Sequence, residues 1–179
     1  MFSKVHSIGI LGVEGYPVVV EADVSEGLPG FTMVGYLSGA VREAQDRVRT
    51  ALKNSGFRLP ARKITVNLSP ADIRKEGTGF DLPIAVAVLA ATGLVDQSIL
   101  DTSVLVGELG LDGRIKPVSG ILSIVAAAGN AGKKRCFLPI PNVSEGQITG
   151  NIDIIGVEDI RALAGMLNDP DQLSPAISQ

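Results

Sequence analysis

Tryptophan is missing from this chain of 179 residues, and its rings amount to five Phe and two Tyr. A core without large rings must be filled by Val, Ile, Leu and Ala, and platforms for stacking bases or sugars are scarce. One cysteine, Cys136, excludes an internal disulfide, and one histidine, His6, excludes a Cys/His zinc cluster. No metal site is expected. The longest apolar run, Leu82 to Ala91, is far shorter than the roughly 18–20 residues that cross a bilayer. Gly9, Gly12, Glu14 and Gly15 interrupt the first twenty residues, which argues against a signal peptide. With a single thiol, the chain reads as cytoplasmic, without a membrane partner. A P-loop of the form G-x-x-x-x-G-K-S/T does not occur, so no nucleotide cofactor is expected in these residues.

What the chain does contain is aliphatic. Apolar residues make up 45% and charged residues 20%, the composition of one well-buried globular domain rather than of a disordered segment. Net charge is −3, but it is unevenly spread. Between Arg42 and Lys63 there are seven basic and two acidic residues, a local +5, which leaves −8 for the remainder. A basic segment in an acidic protein points to a surface aimed at an anion.

Local patterns predict the elements. Ser3–Val13 and Tyr16–Val24 form a hairpin, with Glu14-Gly15 as its turn, and a short strand follows at Phe31–Val34. Ser38 caps a helix reaching about Asn54, its inner face made of Val41, Ala44, Val48, Ala51 and Leu52. A strand at Arg62–Leu68 leads to a helix, Asp81–Thr92, that is apolar all round and therefore buried. A second hairpin joins Thr102–Leu111 to Arg114–Val118 across Asp112-Gly113, and Ser119 caps a helix over Ile121–Ala131. Strands at Lys134–Leu138 and Ile152–Ile155 and a helix at Val157–Leu167 complete an α/β (α+β) fold, a mixed sheet packed with helices.

Three blocks carry a family resemblance: GLPGFTMVG with VREAQDRVRTALKNSG (27–56), ITVNLSPADIRKEGTGFDLPIAVAVL (64–89) and VGELGLDGRIKPVSGIL (106–122). Together they resemble the amino-terminal domain of the magnesium-chelatase-like AAA+ ATPases of the YifB/ComM type. That domain is in turn similar to the Lon peptidase domain, of the ribosomal protein S5 domain 2-like fold, and to the Lon-like domain of the RadA recombination protein. The resemblance implies a domain over residues 1–168 and a linker over 169–179 toward an AAA+ ATPase domain, where ATP and magnesium are expected. It also implies a hexameric parent that uses ATP for DNA branch migration in recombination and natural transformation. The implied partners are the parent's own AAA+ domain and neighbouring subunits.

In Lon-type peptidases a K-D-G-P-S-A-G segment presents a nucleophilic Ser, and a G-R-V-x-P-I-G-G-L-K segment brings the Lys that serves as its base. Lys75–Asp81 resembles the first, with Gly79 at the nucleophile position. Gly113–Leu122 resembles the second, with Leu122 at the base position. A Ser–Lys mechanism needs a hydroxyl and an amine within reach of each other, and neither residue supplies one. The implied domain is therefore no enzyme by itself. Substitute pairs are Ser119 with Lys116, or Thr78 with Lys75, against the plainer reading of a helix cap and solvated lysines. Gly77-Thr78-Gly79 could bind an anion through free amides or could simply make a tight loop.

The positive candidates are basic. Arg42, Arg49 and Lys53 share a helix face that Asp46 partly offsets. Arg58, Arg62 and Lys63 follow, and Arg74 and Lys75 add charge further on. Such residues give salt-dependent, sequence-independent contacts to DNA phosphates, and without aromatic interleaving no base readout is expected. A solvated helix face, or pairing with a neighbouring subunit's acidic surface, is the alternative.

Overall fold

Alternation of buried and exposed residues builds the first ribbon. In Phe2–Leu11 (β1) and Glu14–Ser25 (β2), Val5, Val18, Val20, Ala22 and Val24 point into the core, and the strands pair antiparallel from Phe2↔Asp23 to Leu11↔Glu14. The turn is therefore Gly12-Val13, with Gly12 at φ +65°, and not Glu14-Gly15 as expected. Gly15 is held in the strand, where a Cβ would lie 2.7 Å from the side chain of Ala127. The structure, a computed structural model, describes residues 1–173.

The other strands and α-helices are Gly30–Val34 (β3), Gly39–Arg42 (α1), Ala44–Asn54 (α2), Lys63–Ser69 (β4), Asp81–Ala91 (α3), Ser103–Leu105 (β5), Glu108–Leu109 (β6), Ile115–Lys116 (β7), Ile121–Asn130 (α4), Arg135–Pro139 (β8), Val143–Gly146 (α5), Asp153–Val157 (β9) and Ile160–Asn168 (α6). Seven strands form one sheet in the order β3-β4-β2-β1-β5-β8-β9, antiparallel at β4-β2 and β2-β1 and parallel elsewhere. Successive residues split between its two faces. Leu105, Phe137 and Ile155 join a core with α2, α3 and α6, while Val104, Cys136 and Ile154 join a second core with α4.

Every residue of α3 is buried, as an apolar-all-round helix requires. The helix expected from Ser38 to Asn54 begins as predicted, Ser38 Oγ accepting from Val41 N at 3.3 Å, but divides at Glu43. The expected strand Thr102–Leu111 also divides: β5 stays in the large sheet, and Gly107 turns the chain so that β6 pairs with β7 across Asp112-Gly113. The closing helix starts three residues later than expected, where Asp159 accepts from Ala162 N at 2.8 Å. After α6 the chain makes a turn at Pro170–Gln172, and Leu173 packs on the core; the rest of the expected linker, 174–179, lies outside the described residues.

Ser119 does not cap α4. The residue before the helix is Gly120, with φ +80°, and Ser119 is exposed. A Cβ at 120 would be strained whatever the space around it. Gly120→Ala is expected to destabilise the domain by about 1 kcal/mol or more, and Ser119→Ala by less than about 0.5 kcal/mol. Urea midpoints of the two variants check this, and equal midpoints would restore the cap to Ser119.

A degenerate cleft and a basic face

The loop before α3 forms an elbow tied by backbone hydrogen bonds to the chain at Gly107. Gly79 O accepts from Gly107 N at 3.0 Å, Leu82 N donates to Gly107 O at 3.0 Å, and Asp81 N donates to Thr78 O at 3.2 Å. The elbow borders a cleft of about 640 Å³ lined by Gly77, Thr78, Gly79, Val118 and Ser119, among others, with the carboxylates Glu76 and Glu108 on its walls. With two carboxylates beside it, the tight-loop reading of Gly77-Thr78-Gly79 fits better than an anion site.

Gly79 has room for a side chain, since a Cβ there would meet only Val118, at 3.5 Å. Leu122 stands in the first turn of α4 and is 43% exposed, whereas Ile121 and Ile124 face the core. It is not part of the wall that holds Gly79.

The substitute pairs do not form. Lys75 is fully buried, and its ammonium donates to the carbonyls of Pro70 and, at 2.8 Å, of Ile73. Burial lowers its pKa from the ordinary 10.5, with Asp72 opposing. Its backbone bonds to the loop ahead of α1, Lys75 N to Tyr36 O and Ser38 N to Lys75 O, each at 2.9 Å. Lys75 is therefore a structural clamp, and its place among the phosphate-contacting candidates is corrected: an ammonium enclosed by carbonyls cannot reach a phosphate. Among the described residues no hydrogen bond joins Ser119 to Lys116. His6 is half-buried on β1 with Nε2 3.1 Å from Asp101 Oδ1, and burial lowers its pKa from 6.5 despite that partner. Among the described residues, no three His, Cys, Asp or Glu side chains gather where a metal could be held.

A buried ion pair that the sequence reading does not include joins α2 to α3. Asp81, at the start of α3, is fully buried and meets Arg47 of α2 side-on, Nε–Oδ2 2.8 Å and Nη2–Oδ1 2.9 Å. The carboxylate also accepts from Leu109 N at 3.1 Å, and Arg47 Nη2 donates to Ala40 O at 2.7 Å. Burial raises the Asp81 pKa above its usual 3.8, and the Arg47 fork and Leu109 N–H oppose that rise. The pair fastens α1, α2, α3 and β6 around the elbow. A sequence signal existed: one carboxylate at the head of the helix DLPIAVAVLAA needs a buried partner.

The other basic candidates lie outside. Arg42, Arg49, Lys53, Arg58, Arg62 and Lys63 are exposed, and among the described residues their side chains make no ion pair. Arg74 is exposed too, but it holds Glu76 at 2.8 Å, so its charge is locally offset. Arg49, Lys53 and Arg58 border a shallow depression of about 540 Å³ that also includes Asp46, Thr50 and the ring of Phe57. Phe57 stands between Lys53 and Arg58 in the chain and lines the depression with them.

Comparison with known proteins agrees with this architecture. Residues 20–142 match the family described as subunit ChlI of Mg-chelatase. The uncharacterized protein YifB of Escherichia coli is 50% identical over 132 residues, 74% of this chain and 26% of that protein. The competence protein ComM of Haemophilus influenzae is 39% identical over 169 residues, 94% of this chain and 33% of that protein. A Lon protease of Mycolicibacterium smegmatis is 28% identical over 142 residues, 75% of this chain and 18% of that protein. The chain spans about a quarter to a third of the length of YifB and ComM. No helix of the described residues is long and apolar enough to cross a membrane. The match over residues 20–142 and the likeness to YifB and ComM together show that the chain belongs to the Mg-chelatase ChlI family.

Proposed function

We propose that this chain is a non-proteolytic accessory domain of a ring-forming AAA+ ATPase, and that the face carrying α2 contacts DNA. The parent would be a hexamer that drives branch migration in recombination and natural transformation, with ATP and magnesium held in its AAA+ domain and the whole protein cytoplasmic. Likeness to a competence protein supports the parent, and Gly79 and Leu122, lacking hydroxyl and amine, support the absence of proteolysis.

The observation that carries the DNA contact is a set of six cations that make no ion pair among the described residues. In a chain of net charge −3, Arg42, Arg49, Lys53, Arg58, Arg62 and Lys63 are concentrated on α1, α2 and the approach to β4. Phosphates that these groups neutralise release counterions, which makes affinity fall with salt. Duplex binding measured between about 50 and 200 mM salt tests it, beside a variant with Arg42, Arg49 and Lys53 replaced by alanine. Loss of three phosphate contacts is expected to flatten the log–log salt slope by about 2.7. Duplex binding that is absent, or unchanged in slope, removes the DNA contact and leaves ring assembly with neighbouring subunits as the domain's role. Cleavage of an unfolded protein by the isolated chain would remove the non-proteolytic reading.

A further inference from the structure

We infer that the depression at the end of α2 is a single-nucleotide subsite, where Phe57 stacks on an unpaired base while Arg49, Lys53 and Arg58 hold the adjoining phosphates of a single strand. The inference rests on the DNA contact proposed above and names the form of DNA that this part of the face takes.

The ring is held in place by the way α2 ends. Gly56, at φ +87°, donates to Lys53 O at 3.1 Å, and Phe57 N donates to Leu52 O at 3.0 Å. These two bonds are a Schellman motif, in which the residue after the glycine packs on the last helical turn. Phe57 accordingly packs partly on the core, and its remaining surface lines the depression. A ring fixed by its own backbone loses little entropy when a base lies on it.

Charge decides what the ring receives. Three cations and one carboxylate, Asp46, surround it, and among the described residues none of the three cations has an ion pair. An apolar side chain of a protein partner would gain nothing from those cations, whereas a nucleotide brings a flat apolar base and an anionic phosphate together. Duplex DNA keeps its bases stacked inward, so a surface ring can take a base only from a single strand.

The test compares three probes by fluorescence anisotropy at one salt concentration: an oligothymidylate, an abasic phosphodiester of the same length, and a duplex. The whole chain is expected to bind the oligothymidylate about 5- to 150-fold more tightly than the abasic strand. Phe57→Leu, which keeps an apolar residue on the last turn of α2, should erase that gap and leave abasic and duplex binding unchanged; Phe57→Tyr should retain the gap. Equal affinity of the unaltered chain for the thymidylate and abasic strands overturns the inference without touching the DNA contact, and needs no variant to fold. Failure to bind any probe overturns the DNA contact itself. A Phe57→Leu variant that loses self-association while keeping the thymidylate preference would make the depression a protein interface and overturn the subsite.

Discussion

Asp81→Ala is expected to lower the unfolding free energy by about 3–5 kcal/mol at neutral pH, because it leaves a guanidinium and a backbone N–H without their partner. Arg47→Met should do similar damage for the opposite reason, stranding a carboxylate that is fully enclosed. The two differ in their response to acid. Asp81 already has a raised pKa in the fold, with burial as the main cause. A carboxyl whose folded pKa lies above its unfolded value near 3.8 favours the folded state most below that value, and loses the advantage as pH rises through the folded pKa. Removing Arg47 takes away the largest opposing influence and moves the folded pKa further up. The deficit of Arg47→Met should therefore shrink as pH falls from about 7.5 toward 5, while that of Asp81→Ala, which has no carboxyl at this place, should not. Urea midpoints of both variants at the two pH values decide it; parallel deficits would mean that Asp81 is not the group responding.

The double variant Arg47→Met/Asp81→Leu separates charge from position. Buried ion pairs can often be exchanged for apolar side chains without loss. Here Leu109 N also depends on the carboxylate, at 3.1 Å, and Ala40 O on the guanidinium, at 2.7 Å. The exchange should then still cost about 1–3 kcal/mol for the orphaned N–H, less than the sum of the single changes. What the pair contributes is position: it ties α2, α3 and β6 at the elbow that borders the cleft.

Features carried by short-range periodicity were legible in the sequence. The inner face of α1 and α2 (Val41, Ala44, Val48, Ala51, Leu52) and the buried helix α3 follow directly from spacing and composition. Features that depend on contacts between distant segments were not. Ser119 precedes a helix as a cap should, yet Gly120 adopts the left-handed conformation and takes the boundary position. Glu14-Gly15 reads as a turn, but the antiparallel register places it in β2. Lys75 looks like a surface charge among Arg74 and Glu76, and only the close approach of Pro70 and Ile73 encloses it. The Arg47–Asp81 pair spans 34 positions, a separation at which local pattern carries no information. That Leu122 is 43% exposed, whereas Ile121 and Ile124 beside it face the core, was likewise not legible.

Leu89→Ala is expected to destabilise the domain by about 2–5 kcal/mol, and Leu122→Ala by less than about 0.5 kcal/mol. Leu89 is fully enclosed on α3, which packs against β1 and β2 on one side and α2 on another. Truncation there removes apolar surface and leaves a cavity that elements so tightly paired cannot close. Leu122 is 43% exposed and loses little by truncation. Since the Asp81 clamp hangs on the first turn of α3, a loosened helix should also loosen the elbow, and hydrogen exchange at Leu82 N and Gly107 N, which bond to Gly107 O and Gly79 O, should quicken in Leu89→Ala. An unaltered exchange rate at those two amides, together with a lower urea midpoint, would show that the elbow is held by Arg47–Asp81 alone and not by the packing of the helix that carries it.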